Sequence, residues 1–365
     1  MLLAMTWKVL PVFCLHTQYM ICIIKRIIMA NNHNKTLSLG IIGAGDIVSK
    51  NHLPVLSSLN EIHINWITDI DLQKSQSLAD AYKIPVIELP EDLHKIPPTD
   101  IVLLAIPYGA RKPYYNIFKG HNTSIYVEKP FALTLEEHKE ICSLFPAHRI
   151  ACGFQRRSWG PTQLIKDFIK ENIFGELKKI RFELGNPASF VGLADFFSNI
   201  KLAGGGILLD VGIHGIDTML FCASAQNFEL ISSKMIVKNG YDIHTEAKFI
   251  INKKLNCELL VSNVIKTTNQ IEFTFNDAIA SYSLFDLSGK INISPIDKDK
   301  TPSLSIQNNK SIMPNTPFQT FYNHWSHFIS GIKSNTANWT SAHDSFITTE
   351  LIEKIYKESK GKNIK

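Results

Sequence analysis

The 365-residue chain has no Cys-x-x-Cys pair, no internal repeat, no low-complexity tract and no long run of like charge. Its six cysteines, at positions 14, 22, 142, 152, 222 and 257, make no framework of the kind that staples small secreted domains. The reduced cytoplasm is therefore the expected compartment. The lysines are scattered, the net charge is +5, and no basic run is interleaved with aromatic residues. Nucleic acid is thus not an expected partner, whereas a mild positive excess suits an anionic cofactor. No spacing of histidines and carboxylates demands a metal. The apolar stretch Val9 to Ile24 carries Pro11, His16, Thr17 and Gln18 and falls short of the ~20 residues that a spanning helix needs. A signal peptide fits no better, because Lys25-Arg26 follows the apolar stretch instead of preceding it. Residues 1–35 are expected to be an extension outside the fold, with Met29 leading into the first strand as a start would. A weak membrane anchor is the alternative; no membrane partner is expected.

A chain of this length exceeds what one core usually organises, and 45% hydrophobic content can fill two. From 36 to 152 strand and helix patterns alternate. Leu37 to Ile42 runs into Gly43-Ala44-Gly45-Asp46, after which Ile47, Leu53, Val55 and Leu56 mark a helix. A strand, a glycine turn and a helix in that order offer backbone N–H groups and a positive helix end to a pyrophosphate. The next strand, Ile62 to Thr68, ends at Asp69, close to the offset at which a carboxylate meets the adenine ribose hydroxyls. The third glycine of the fingerprint is replaced by Val48. Asp100 to Ile106 reads as a strand buried on both faces, Thr134 with Glu137 as a capping box, and Arg149 to Cys152 as a last strand. The pattern predicts a Rossmann domain, a doubly wound parallel sheet over 36–152. Gly43, Gly45, Asp46, Ile47 and Asp69 are expected at the dinucleotide turn, with Ile106, Pro107, Glu128 and Lys129 at the following strand ends. Asp69 with Ile70, and no neighbouring arginine, favours NAD over NADP.

From 153 to 365 the pattern changes to an α+β domain on an open, largely antiparallel sheet, for substrate binding and oligomerisation. Strand runs are expected at Phe228 to Val237, Glu246 to Ile251, Cys257 to Val264, Gln270 to Phe275 and Ala278 to Leu284. The polar stretch from Asp297 to Asn315 reads as a surface loop. A sheet of this kind with an apolar outer face favours a homodimer or homotetramer.

A helix beginning near Gly206 would put Asp210, His214 and Asp217 on one face at i, i+4 and i+7. Its other residues are almost all apolar, so it should be buried, where an aspartate and a histidine need partners. The plain alternative is that Asp210 bonds a backbone turn and His214 is a satisfied core histidine. Lys129 sits at a strand end ahead of Pro130, which turns it from helical conformation and admits a cis bond. It is expected near the nicotinamide; its alternative is a surface lysine paired with Glu128.

With Gly43-x-Gly45, Asp69, Ala105-Ile106-Pro107, Glu128-Lys129-Pro130, Gly153-Phe154-x-x-Arg157, Gly175-Glu176 and the Gly204 to Asp217 block in order, the chain resembles the glucose-fructose oxidoreductase/inositol dehydrogenase/MocA family over residues 37 to 358. The resemblance implies a nicotinamide-dependent oxidoreductase acting on a small-molecule sugar, polyol or related alcohol. It makes Lys129, Asp210 and His214 the catalytic group. His214 is the implied proton acceptor, and Lys129 the group that polarises the reacting oxygen. Two departures stand out: Arg111 where many relatives have histidine, and Phe196-Phe197 in place of Trp-Arg. Arg157, Trp159, Phe190 and Lys201 remain as candidate pocket residues, the aromatic ones equally suited to the core. The other function compatible with the fold is a non-catalytic cofactor-binding sensor or regulator.

Overall fold

Short apolar runs rich in β-branched side chains bury both faces when they lie in the middle of a parallel sheet. Five of them do so: β1 (Leu37–Ile42), β2 (Ile62–Thr68), β3 (Ile101–Leu104), β4 (Ser124–Val127) and β5 (Ile150–Cys152). All pairs are parallel, in the order β2-β1-β3-β4-β5. The order reverses between β1 and β3, so a crevice opens at their carboxyl ends. The structure, a computed structural model, describes residues 36–187, 199–286, 288–297, 303–306 and 316–360. The expected extension at 1–35, Phe190 and Phe196-Phe197 lie outside them.

The connecting helices start where short polar side chains satisfy free backbone N–H groups. Asp71 caps α2 (Leu72–Tyr82), which follows the short α1 (Leu53–Leu56). After α3 (Lys112–Phe118), Thr134 accepts from the Glu137 N–H at 3.1 Å to open α4 (Leu135–Ser143). The expected capping box is only half made. Glu137 bonds the Leu133 N–H and the Tyr108 hydroxyl instead of returning to Thr134.

After α5 (Gly160–Lys170) the second sheet begins with β6 (Leu177–Gly185), followed by β7 (Phe228–Lys238), β8 (Tyr241–Ile251), β9 (Leu255–Ser262), β10 (Gln270–Phe275), β11 (Ala278–Tyr282), β12 (Ile291–Pro295) and β13 (Leu304–Ile306). Its order is β13-β12-β11-β10-β6-β9-β8-β7, antiparallel except for the β6–β9 pair. Within the stretch expected as a loop, 304–306 instead pair with β12 as the edge strand. The outer face is not uniformly apolar: its centre carries Lys179–Glu258 at 2.8 Å and Arg181–Glu258 at 4.0 Å, and exposed Ile231, Ile236 and Val237 are confined to β7.

The helix α7 (Ile213–Cys222) lies against β6 and β9 on the inner face, and the short α6 (Ile200–Ala203) against the Tyr108–Ala110 turn. The stretch Ile200–Cys222 is long and apolar enough to cross a bilayer, but 83% of its most apolar 18 residues are buried in the fold. The chain then returns to the first sheet. Phe321, Trp325, Phe328 and Ile329 of α8 (Pro317–Ser334) pack with β1, β3 and Tyr126, whose ring stacks on Trp325 at 4.3 Å. The final helix, α9 (Phe346–Lys360), covers β7 and α4.

Among the buried histidines, His138 and His324 are neutral. His138 Nε2 donates to the Ala342 carbonyl at 3.0 Å, so Nδ1 accepts from the Thr349 hydroxyl at 2.7 Å. Burial pushes its pKa down to about 3, and burial places His324 well below its usual value. The unfolded chain therefore binds more protons than the fold below the ordinary imidazole pKa. Stability should be fully present above about pH 6.5 and fall by ~1.4 kcal/mol per pH unit for each such histidine as the pH drops. Urea midpoints measured from pH 7.5 to 5 should decline, and flat midpoints would refute the assignment.

Candidate active site

The glycine turn is fixed by sterics. Gly43 has φ +108°, and a Cβ there would collide with the Ala105 carbonyl of the neighbouring strand end. At Gly45, by contrast, a Cβ would meet nothing within 4 Å. The helix that follows opens with a π turn over Val48–His52. Val48, at the third-glycine position, is fully buried in the first core. Asp46 is exposed and pairs with Lys50, while Ile47 packs partly into the core. Asp69 ties the turn together: its Oδ2 accepts the Ala44 N–H at 2.6 Å and its Oδ1 the Asp71 N–H at 2.9 Å. A carboxylate has about four acceptor positions, so room remains for ribose hydroxyls. Ile70 beside it is 92% exposed. An open glycine cradle, a helix start and an acceptor for hydroxyls fit a dinucleotide.

At the next strand ends Arg111 is buried and donates to three backbone carbonyls: Ile106 at 2.9 Å, Glu128 at 2.6 Å and Pro130 at 2.5 Å. It staples the Ile106-Pro107 turn to the Lys129-Pro130 turn, whose peptide bond is cis. Glu128 does not pair with the Lys129 ammonium. Its Oε1 bonds His52 Nε2 at 2.8 Å, and His52 Nδ1 accepts the indole N–H of Trp325 at 3.0 Å. Since Nδ1 accepts, Nε2 carries the proton and donates to the buried carboxylate.

Lys129 turns instead to the second domain, where Nζ donates to the Asp210 carbonyl at 2.6 Å and lies 3.3 Å from Asp210 Oδ1. Asp210 is held by local structure that the sequence did not reveal. Asp242 accepts the N–H groups of Gly206 at 2.6 Å and Leu208 at 2.7 Å and the Tyr356 hydroxyl at 2.7 Å. A Cβ at Gly206 would strike the Asp242 backbone. The helix opens with a π turn at Leu208–Gly212 before α7. The expected single face of Asp210, His214 and Asp217 is accordingly divided. Asp210 reaches Lys129, His214 follows it into the interior, and Asp217 pairs elsewhere. The Asp217 carboxylate takes Arg157 Nε at 2.9 Å, Arg157 Nη2 at 2.6 Å and the Thr348 hydroxyl at 3.0 Å.

His214 is 5% exposed, and its Nδ1 has no partner among the described residues. Burial first, then the positive charges of Lys129 and Arg156, hold its pKa well below the usual value, so the imidazole is neutral. Neutral imidazole is the proton-accepting form.

Three pocket candidates lie away from the cavity beside Asp210, Trp159 in the core as its alternative had it. Arg157 is locked in the ion pair with Asp217 and with Asp344, at 2.7 Å, and Trp159 is fully buried in the core. Lys201 is exposed on α6 and does not line the cavity beside Asp210. Arg156, not Arg157, faces the site. Its Cζ lies 5.0 Å from the Trp159 ring and 5.1 Å from the Phe285 ring, and burial lowers its pKa to about 10. The His214 and Phe285 ring centroids are 6.3 Å apart. The cavity itself, about 500 Å³, is lined by Asp210, Tyr241, Asn263, Asn269, Phe285 and Asp286 among others. Among the described residues there is no metal-binding cluster of histidine, cysteine and carboxylate groups.

A parallel sheet with a glycine cradle, joined to a mixed sheet that brings an aspartate and a buried histidine to a strand-end lysine, defines a two-domain dinucleotide-binding protein with a cavity for a small molecule. Residues 37–153 match the oxidoreductase family with an NAD-binding Rossmann fold, and residues 162–250 match the GFO/IDH/MocA C-terminal domain. The chain belongs to the GFO/IDH/MocA family. D-glucoside 3-dehydrogenase of Escherichia coli (strain K12) is 26% identical over 207 residues, 56% of this chain and 59% of that protein's length. The dTDP-3,4-didehydro-2,6-dideoxy-α-D-glucose 3-reductase of Streptomyces antibioticus is 19% identical over 336 residues, covering 87% of this chain and 96% of its own. The fold is shared with KijD10, a 3-ketoreductase from Actinomadura kijaniata in complex with NADP and TDP-benzene, with TM-score 0.76, 15% identity, and coverage of 89% and 98% of the two chains.

Proposed function

We propose that this protein is an NAD-dependent dehydrogenase or reductase that interconverts a secondary alcohol and a ketone on a sugar, polyol or sugar derivative. The observation that carries the reading is the Lys129–Asp210 contact at 3.3 Å beside a buried, neutral His214, set at a strand end next to the glycine cradle. Gly43, Gly45, Asp46, Ile47 and Asp69 would hold the pyrophosphate and adenosine side, and Ile106, Pro107, Glu128 and Lys129 the nicotinamide side. A nicotinamide held there would supply the hydride chemistry at the carbinol carbon. His214 takes the hydroxyl proton in the oxidation direction and returns it in reduction. Lys129 stabilises alkoxide character on the reacting oxygen, and Asp210 fixes the ammonium. The partners in this reading are a sugar-like small molecule and further copies of the chain, a homodimer or homotetramer, to which the exposed apolar residues of β7 are suited. Turnover of polyols, aldoses and nucleotide sugars with NAD tests the reading; a protein that binds NAD and turns over none of them would be a sensor instead.

Cofactor choice follows from charge. Asp69 accepts ribose hydroxyls and repels a 2′-phosphate, and exposed Ile70 supplies no cation. We expect kcat/KM to be at least ten-fold higher with NAD than with NADP, and Asp69→Ala to narrow the gap. Equal or inverted values would refute it.

A further inference from the structure

Lys129 reaches Asp210 from the end of a strand in the other sheet, so the place of its ammonium is set by the turn that carries it. The contacts at 2.6 Å and 3.3 Å leave little slack. A catalytic group displaced by ~1 Å can cost a reaction ~10²-fold. Both ends of the peptide unit joining Glu128 to Lys129 are held. Its carbonyl accepts from Arg111 Nη1 at 2.6 Å, and its N–H donates to Glu128 Oε2 at 3.2 Å. The Pro130 carbonyl accepts from the same Nη1 at 2.5 Å.

The Glu128 carboxylate is in turn held from the core. Its Oε1 accepts from His52 Nε2 at 2.8 Å, and His52 Nδ1 accepts the Trp325 indole N–H at 3.0 Å. His52 is fully buried, edge-on to the rings of Tyr126 and Phe321, and Glu128 is buried beside it. A chain of hydrogen bonds therefore runs from α8 through an imidazole and a carboxylate to the Lys129 N–H. Each member has the polarity its place demands. Glu128 must accept at both oxygens, and an amide of the same shape would turn its NH₂ against one of the two donors. His52 must accept at one end and donate at the other. Gly153 keeps the space open, since a Cβ there would lie 2.7–2.9 Å from the Glu128 carboxylate. A well-packed apolar pair would fill the same volume without the desolvation cost of a buried carboxylate and imidazole. What the pair adds is a fixed place for Lys129.

We propose that His52 and Glu128 are positioning residues for Lys129, setting where its ammonium stands against Asp210 and the substrate oxygen. This role rests on the dehydrogenase reading for its kinetic effect, whereas the Lys129–Asp210 contact can be read without it. Glu128→Gln, His52→Leu and His52→Gln are compared with the parental protein, using NAD and the sugar it turns over fastest. Glu128→Gln and His52→Leu should lower kcat/KM about ten-fold or more and raise the primary deuterium isotope effect on kcat, because hydride transfer itself is slowed. His52→Leu should leave the NAD dissociation constant close to the parental value. His52→Gln should recover most of the lost rate, since its amide oxygen can accept from Trp325 and its NH₂ can donate to Glu128. In crystal structures Lys129 Nζ should leave Asp210 in Glu128→Gln and keep the parental contact in His52→Gln. If Glu128→Gln does not fold, Gly153→Ala, which displaces the same carboxylate, takes its place with the same expectations. Variants that lower only the urea midpoint and keep parental kcat/KM overturn the proposal, as does a parental Lys129–Asp210 contact in the Glu128→Gln crystals. A parental protein that turns over no sugar ends the dehydrogenase reading instead, and the crystals then decide the positioning role alone.

Discussion

His214→Ala should lower kcat by ~10²-fold or more while NAD binding stays close to that of the parent, the pattern expected when a general base is removed. The imidazole is neutral because it is buried and flanked by Lys129 and Arg156. In the oxidation direction kcat/KM should therefore be on its plateau at pH 7 and fall only below the usual imidazole range. Lys129→Ala should act in the same direction and also raise KM, since in the proposed site the ammonium contacts substrate. Asp210→Asn should fold and lose rate, because the carboxylate at 3.3 Å no longer anchors the ammonium as an ion pair. Steady-state kinetics with NAD titrations read all three. Folded variants with parental turnover would end the assignment of these residues to the chemistry.

The largest stability effect is expected at Arg157. Its guanidinium makes two parallel bonds to Asp217 and a third to Asp344, with the Arg157 and Asp217 side chains only 3% and 1% exposed. Arg157→Ala strands a buried carboxylate and should destabilise the fold by about 3–5 kcal/mol. Arg157→Lys should recover only part of this, because an ammonium cannot reproduce the bidentate fork. Urea unfolding followed by fluorescence gives the values. A loss below about 1 kcal/mol for Arg157→Ala would show that the pair is not a structural tie.

The first sheet was legible because its strands are apolar on both faces and its glycine turn is a local steric demand. Gly43 needs positive φ next to the Ala105 carbonyl whatever the rest of the chain does. The placement of Lys129 at a strand end and of Asp210 and His214 in the first turns of a buried helix was legible for a similar local reason. The central strand β6 escaped notice because Lys178, Lys179, Arg181 and Glu183 interrupt its apolar residues. Lys179 and Arg181 are balanced across strands by Glu258, and Lys178 and Glu183 by partners in the same stretch, Glu176 and Arg181. The two π turns, at Val48–His52 and Leu208–Gly212, break the regular helical spacing. Asp217, counted onto the face of Asp210, therefore pairs with Arg157. Adjacent arginines differ for a similar reason. A tight turn over Gln155–Ser158 sends Arg157 to the interior pair and Arg156 toward Phe285, a choice that sequence spacing does not make. Asp242, Tyr241 and Phe285 have no motif at all, since only the folding of the second sheet beside the Gly204 to Gly206 turn brings them to the site.

The most direct test follows a deuteron. A sugar deuterated at its carbinol carbons, drawn from those that the protein turns over, is incubated with the full chain and NAD, and the reduced cofactor is analysed by mass spectrometry. The prediction is deuterium on the nicotinamide with the parental protein and its near-complete loss with His214→Ala and with Lys129→Ala, both still binding NAD. Absence of label with the parental protein across the sugar panel, or equal labelling by both variants, would contradict hydride transfer at the Lys129–Asp210–His214 site.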